Sequence, residues 1–375
     1  MLKSLLLLFL LCPSFCFAQL KITGKVINLN DKKPIADASV FLNNASVGNK
    51  TSGDGSFALT NVRPGQYDLI VSVVGFETYS QTLTLVNNNL VLPEIGLLPK
   101  TIELNEVKIK PNLDWGKYYD MFKRQFLGTS ANAAQCKILN PDLLNFEYDA
   151  KTRILQASSY DFLEIENKAL GYKIKYKLNQ FTYNSNKGFL YYDGISVFQD
   201  LPGSSAKIRR WKKKRQAAYL GSPMHFLRSI ITNQLLQEGF EVLRLIRKPN
   251  PEYKGGPFDD KNKYLQTLIR QPLDVNVFAK RTDQPGLFAL GFNDCLYIIY
   301  NKKANNNPDI YRSLDMDKSD FATSIATLDE HEAYAFFDNN GIIHNPRSII
   351  FEGDWTSYRF AEMLPVDYEP IVATK

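Results

Sequence analysis

ITGKVINLNDKKPIADASVFLNNASVGNKTSGDGSFALTNVRPGQYDLIVSVVGFET, residues 22–78, decides the fold, because apolar residues recur at every second position between clusters of turn-forming residues. Ile22, Gly24 and Val26 share one face of a first strand, and Ala38, Val40 and Leu42 share one face of a second. Asn28-Leu29-Asn30-Asp31, closed by Pro34, separates them, and Ser52-Gly53-Asp54-Gly55 turns the chain ahead of Phe57 and Leu59. Arg63-Pro64-Gly65 turns again into Tyr67, Leu69, Val71 and Val73, after which Gly75-Phe76 breaks the run. Leu83 and Leu85, then Leu90 to Leu92, supply the last strands. About seven short strands with turns every 8 to 12 residues or so predict two packed antiparallel sheets, a Greek-key β-sandwich at the front of a mainly β chain. Asp54 brings a single carboxylate to its turn, which reads as a hairpin and not as a calcium loop. Asn44-Ala45-Ser46 and Asn49-Lys50-Thr51 fit the glycosylation sequon, which matters only in a eukaryotic source.

The motifs ITGKV, PIADASVFL, TSGDGSFAL and VRPGQYDLIVSVVGFET, in this order and spacing, resemble the carboxypeptidase regulatory-like domain, a transthyretin-like sandwich. Ser52 stands where that family usually has Asp or Asn. The resemblance implies a structural or binding module. In the family it is an appendage beside peptidase domains or at the front of bacterial outer-membrane transporters.

Upstream, Met1 to Ala18 read as a secretory leader. Lys3 gives the positive start, Leu5 to Leu11 the apolar run, and Cys16-Phe17-Ala18 the cleavage site before Gln19. The run is too short to span a bilayer as a helix, and no other stretch reaches the roughly 18 apolar residues that need. Leu11 before Cys12 and Phe15 before Cys16 disfavour lipoprotein processing. The 375 residues are 44% hydrophobic with 20 Tyr and 24 Phe against 5 Met, a balance that suits strands. A net charge of +6 does not call for nucleic acid. With Cys12 and Cys16 in the leader, only Cys136 and Cys295 remain. They allow one bridge or two buried thiols and no four-cysteine zinc site.

Downstream, the expected organisation is a leader over 1–18, the sandwich over 19–99, a linker and helix over 100–139 and a larger α+β domain with antiparallel strands over 140–375. Thr101 to Lys110 (TIELNEVKIK) resembles the segment that leads from this module into a transporter plug, yet the remaining chain is too short for the barrel of such a transporter. Asp114 is placed to cap a helix with the stripe Trp115, Tyr118, Tyr119, Phe122 and Phe126, ended by Gly128. Tyr172, Ile174, Tyr176 and Leu178 alternate with Lys173, Lys175 and Lys177, a half-buried strand with a wet cationic face, and a phase shift at Phe181 suggests a bulge. Residues 207–220 read as helical. Ser222 caps the next helix, with Phe226, Leu227, Ile230, Ile231 and Leu235 inward and Gly239 as its stop. Glu332 to Phe337 and Ile342 to His344 form a hairpin about Asp338-Asn339-Asn340-Gly341. LGYKIKYKLNQF, YLGSPMHFLRSIITNQLLQEGFEV and FEGDWTSYRFAEMLPVDYEP are similar to the downstream region of a widespread group of Bacteroidetes proteins with the same front module, a likeness that implies no activity.

Three histidines, His225, His331 and His344, bound the chemistry. None opens a His-x-x-Glu pair, and His331-Glu332 is not completed to H-E-x-x-H because Ala335 holds the last place. No G-x-S-x-G elbow or phosphate-binding loop occurs, whereas a dispersed Ser-His-Asp triad or a carboxylate pair stays open. Asp329, Glu330 and Glu332 read as a solvated cluster on a strand edge. No catalytic, cofactor-binding or metal residue is assigned. The sharpest feature is Arg209-Arg210-Trp211-Lys212-Lys213-Lys214-Arg215, whose cations can hold phosphate or carboxylate and whose indole can stack on a sugar or a cation. Against this stands a plain solvated helix face with its Trp in the core. The sequence therefore predicts a non-catalytic exported envelope protein, periplasmic, outer-membrane associated or at the cell surface. It would bind a glycan, an anionic lipid head group or a protein partner such as an outer-membrane protein. The alternative is a peptide or glycan hydrolase with its site in 140–375.

Overall fold

The computed structural model describes residues 20–100, 114–254, 263–304 and 320–371. The expected leader and the segment 101–110 lie outside them.

The front of the chain is a sandwich of two sheets. One is built from β1 (Leu20–Asn28), β4 (Ser56–Val62), β7 (Leu90–Val91) and β8 (Ile95–Leu97), the other from β2 (Ser39–Leu42), β3 (Gly48–Lys50), β5 (Gly65–Ser72) and β6 (Tyr79–Leu85). The alternation read from the sequence is the packing. Ile22, Val26, Leu59, Val40, Leu42, Leu69 and Val71 are all buried between the sheets. Two details differ from expectation. There are eight strands, because β3 and β8 are short pairings that the alternation did not mark. The sheets are also not wholly antiparallel, because β7 and β8 both return parallel to β1.

The second sheet system is assembled from β9 (Cys136–Ile138), β10 (Leu144–Asp149), β11 (Ile154–Ser159), β12 (Leu163–Asn167), β13 (Tyr172–Asn184) and β14 (Phe189–Asp200), in the order β10-β11-β13-β12-β9 with β14 on β13. The expected bulge is present, as a register shift between Leu178 and Gln180. Helix α1 (Trp115–Leu127) lies on this sheet and sends Phe122 and Phe126, both fully buried, among Phe146, Tyr176, Phe181 and Phe360. Asp114 holds the N-cap position, but its carboxylate does not cap. It accepts the Tyr118 hydroxyl at 3.4 Å instead.

Three helices follow: α2 (Ser205–Tyr219), α3 (Pro223–Ile231) and α4 (Leu235–Glu238). The Ser222 hydroxyl caps α3 by accepting the His225 N–H at 3.1 Å. The single helix expected to run to Gly239 breaks after Ile231, where Asn233 takes a left-handed conformation, and Leu235 starts a new turn that Gly239 ends.

The last part holds β15 (Phe240–Pro249), β16 (Tyr264–Ile269), helix α5 (Val275–Phe278), β17 (Ala279–Arg281), β18 (Leu287–Leu290), β19 (Cys295–Ala304), β20 (Phe321–Leu328), β21 (Ala335–Asp338) and β22 (Ile349–Gly353). A five-stranded sheet runs β16-β15-β19-β20-β22, and a three-stranded sheet runs β17-β18-β21. The expected hairpin about Asp338 is closed by one bridge, Phe337 to Ile343, and its first strand begins at Ala335. Glu332 therefore lies in an exposed loop with Glu330 and not on a strand edge.

The sandwich is tied to the rest through the loop after β2. Asn44 N–H donates to the Ser196 carbonyl at 2.8 Å, Phe198 N–H to the Ala45 carbonyl at 2.9 Å and Val366 N–H to the Asn44 carbonyl at 2.7 Å. Phe41, Ile70, Phe162 and Val197 form a small apolar cluster at this junction, and Val366 from the C-terminal segment enters the core of the sandwich.

Candidate functional site

The seven residues 209–215 fall on helix α2, and a helix advances about 100° per residue, so they cannot act as one patch. Trp211, Ala218 and Tyr219 form the buried side, and Arg215 lies beside them. The indole is wedged between two loops, where a methyl group at Gly171 would fall 2.1 Å from it and one at Gly203 2.7 Å. Its N–H donates to the Lys168 carbonyl at 3.0 Å. Arg215 is equally committed. Its Nε donates to the Leu170 carbonyl at 2.7 Å, and Nη2 donates to the Gly171 carbonyl at 3.0 Å and to Asp200 at 2.6 Å. The guanidinium also stacks 3.7 Å above the Tyr172 ring. The expectation that Trp211 stacks on a ligand is thus corrected: its ring faces protein on both sides. Lys214 reaches the Asn132 side chain at 3.4 Å.

What remains outward is Arg209, Arg210, Lys212 and Lys213, with Lys207 extending the row. None of these five forms a hydrogen bond or ion pair with a described residue, and the helix contains no acidic residue. Arg209 and Lys213 are four residues apart and Arg210 and Lys213 three apart. Each is a spacing at which like charges repel by about 0.2–0.5 kcal/mol. The helix retains this repulsion because Trp211 and Tyr219 anchor its other side. Sequence reading missed Lys207, although its helical spacing from Arg210 made it visible.

The other cationic row is different. Lys173 meets Glu164 at 2.9 Å, and the register sets Glu164 opposite Lys175 and Glu166 opposite Lys173. Lys177 donates to the Tyr160 carbonyl at 3.0 Å. On that face of β13 Lys173 is answered by Glu164 within its own sheet, while Glu166 pairs with Lys168 at 3.2 Å.

The histidines do not assemble a nucleophile. His225 Nδ1 accepts the Gly221 N–H at 3.1 Å, and Nε2 faces Glu238 at 3.1 Å, so both ring nitrogens are occupied. Burial lowers its pKa against the opposing pull of Glu238. His344 Nε2 lies 3.3 Å from the buried Asp338 carboxylate, whose hydrogen bond raises the imidazole pKa against burial. His331 is exposed beside Glu330. None of the three rings is hydrogen-bonded to a serine, threonine or cysteine side chain among the described residues, so the triad form of the hydrolase reading has no geometry here. Among these residues there is also no cluster of three metal-ligating side chains. Asp54 accepts from Ser56 and Ser52 within its turn, which holds its pKa down at about 2 and marks the carboxylate as part of the hairpin. Cys136 and Cys295 are unpaired.

The sandwich carries an open groove of about 690 Å³ whose lining includes Lys21, Lys25, Asn49, Lys50, Phe57 and Glu94. Its one aromatic, Phe57, is buried in the sandwich core, so no ring face is offered to a sugar.

No curated protein matches this chain. Among solved structures it is similar to the backbone protein of the group B streptococcus pilus 2b, with 20% identity over 22% of this chain and 41% of that one, at a TM-score of 0.19. It is also similar to a chain of a type II cohesin-X-dockerin complex from Acetivibrio cellulolyticus, with 15% identity over 21% of this chain and 56% of that one, at a TM-score of 0.19. A DUF3823 family protein from Parabacteroides merdae shows 11% identity over 51% of this chain and 85% of that one, at a TM-score of 0.17. Scores of this size carry no functional argument. The front of the chain is identified by sequence: residues 22–109 match the family model of the CarboxypepD_reg-like domain, as their motifs led us to expect.

Proposed function

We propose that this is a non-catalytic, exported binding protein that docks on an anionic surface of the cell envelope through the outward face of α2. One observation carries the reading: Arg209, Arg210, Lys212 and Lys213 are exposed on one helix with no acidic partner among the described residues. Their mutual repulsion has no counterpart among the described residues, and we take the counter-charge to come from outside. The burial of Trp211 narrows the ligand. A cationic row without an aromatic platform suits phosphate-bearing head groups better than sugar rings, which call for stacking. No described helix is long and apolar enough to cross a membrane, consistent with surface binding.

The test is co-sedimentation with phosphatidylcholine vesicles containing phosphatidylglycerol, against phosphatidylcholine alone, over a salt series. Each cation near such a surface is worth about 1 kcal/mol, so replacing Arg209, Arg210, Lys212 and Lys213 with glutamine weakens binding about a thousandfold at low salt. Binding by the parent falls with rising salt. Parent-like binding by the quadruple variant sinks the proposal.

A further inference from the structure

The outer edge of β16 differs from the edges formed by β6, β4 and β10. β6 exposes Ser80, Thr82 and Thr84, β4 exposes Thr60 and Asn61, and β10 carries Glu147 and Asp149. Polar and charged residues of this kind protect an edge from pairing with another chain. β16 reads Tyr264-Leu-Gln-Thr-Leu-Ile269, without a charge, and among the described residues it pairs only with β15, in six successive steps without a bulge. Tyr264 is 38% exposed, Leu265 55% and Ile269 38%. Apolar side chains thus stand in water on both faces of the strand, since successive residues point to opposite sides.

The backbone fixes what can pair there. Asn250 N–H donates to the Lys263 carbonyl, so that opposed pair is hydrogen-bonded. Such pairs alternate along an antiparallel ladder. Leu265, Thr267 and Ile269 therefore direct their backbone groups to β15, and Tyr264, Gln266 and Leu268 direct theirs outward. Pro249, which has no N–H, falls opposite Tyr264, as this phase requires. In an antiparallel partner strand, outward groups must meet outward groups.

We propose that the β16 edge is the two-fold contact of a homodimer, in which a second copy of this chain pairs antiparallel with Gln266 opposite the partner's Gln266. This register is the one that uses every outward backbone group of the strand. Tyr264 then lies opposite the partner's Leu268, and Leu265 opposite the partner's Thr267. These are apolar or uncharged pairs of the kind that stabilise sheets. The strand is its own complement, and no like charges oppose each other within it.

Sedimentation equilibrium of the purified chain tests this over roughly 1 to 200 µM, the range in which small interfaces dissociate. The expected mass rises from one chain to two. Gln266→Pro removes an outward N–H without touching the ladder to β15, and Ile269→Lys sets a lysine directly opposite the partner's Lys263. Each is expected to hold the protein at one chain throughout, with parent-like circular dichroism. Should Gln266→Pro unfold, Ile269→Lys gives the reading, because its side chain is exposed. A one-chain mass for the parent at the highest concentration overturns the proposal. So does a dimer that survives a folded variant.

Discussion

Replacing Trp211 with alanine separates the two roles that a tryptophan inside a cationic run can have. The indole is only 9% exposed, touches the backbone of Gly171 and Gly203, and donates to the Lys168 carbonyl. Truncating a tryptophan packed in this way costs about 3–5 kcal/mol, from lost burial and from the cavity that remains. At about 2–4 °C per kcal/mol for a body of this size, the melting temperature falls by roughly 6–20 °C. Thermal denaturation followed by circular dichroism reads the loss directly. Gly171→Ala acts in the same direction, because Gly171 has φ +73° and its new methyl would strike the ring. At temperatures where Trp211→Ala is still folded, vesicle binding stays near that of the parent, because the outward cations are intact. A variant that melts like the parent yet no longer binds vesicles would mean that the indole meets ligand, and the assignment of α2 faces would be wrong.

His344 and His225 are expected to give opposite pH slopes. The folded pKa of His344 is raised, so its contribution is full below the ordinary value of 6.5 and is lost as pH rises through the folded value. The melting difference between parent and His344→Gln therefore shrinks from about pH 5.5 to about pH 8.5, and a difference that grows contradicts the Asp338 contact. His225 is depressed by burial, so its contribution is present above 6.5 and is lost as pH falls through the folded value; parent and His225→Gln diverge in the other direction. The Cys136 thiol is pushed up to about 12 by burial and by Glu362, which leaves about one thiolate in ten thousand at pH 8. Cys295 is buried and accepts the Thr327 hydroxyl at 3.2 Å. Mass spectrometry after iodoacetamide is expected to show fast label only once denaturant is added; fast labelling of the half-buried Cys136 in the native protein contradicts its raised thiol pKa. Asn43 and Asn44 accept the Ser196 N–H at 2.9 Å and the Ser196 hydroxyl at 2.7 Å. Replacing both with alanine loses about 1–3 kcal/mol at the junction. Calorimetry is expected to show one transition for the parent and two for the variant, and two well-separated transitions in the parent contradict a tight junction.

The sandwich was legible because its information is local. Alternation assigns each side chain to a face, and turn residues mark the ends, so Val40, Leu42, Leu69 and Val71 could be placed inward before any partner strand was known. The parallel return of β7 and β8 was not legible, since neither of these two short strands carries a sign of its direction. Long-range closure was hidden for a related reason. Arg228 donates to the carbonyls of Asn340, Val366 and Tyr368, more than a hundred residues away, and nothing near Arg228 in the chain announces them. The candidate site shows where composition stops being informative. Two cationic rows stood in the sequence, one on β13 and one on α2, and the strand row alternated more regularly. A strand's charge is answered by whichever strand pairs with it, and here β12 brings Glu164 and Glu166 into register with the lysines. A helix meets its neighbours on one side only. Among the described residues, the cations of α2 that point away from that side have no neighbouring strand to answer them, while the same rotation draws Arg215 into the interior beside Trp211. The phase of one helix against one sheet thus selects which five of the helix's seven cations are available to a ligand. That phase is set by the apolar spacing of Trp211, Ala218 and Tyr219 and not by the charges themselves.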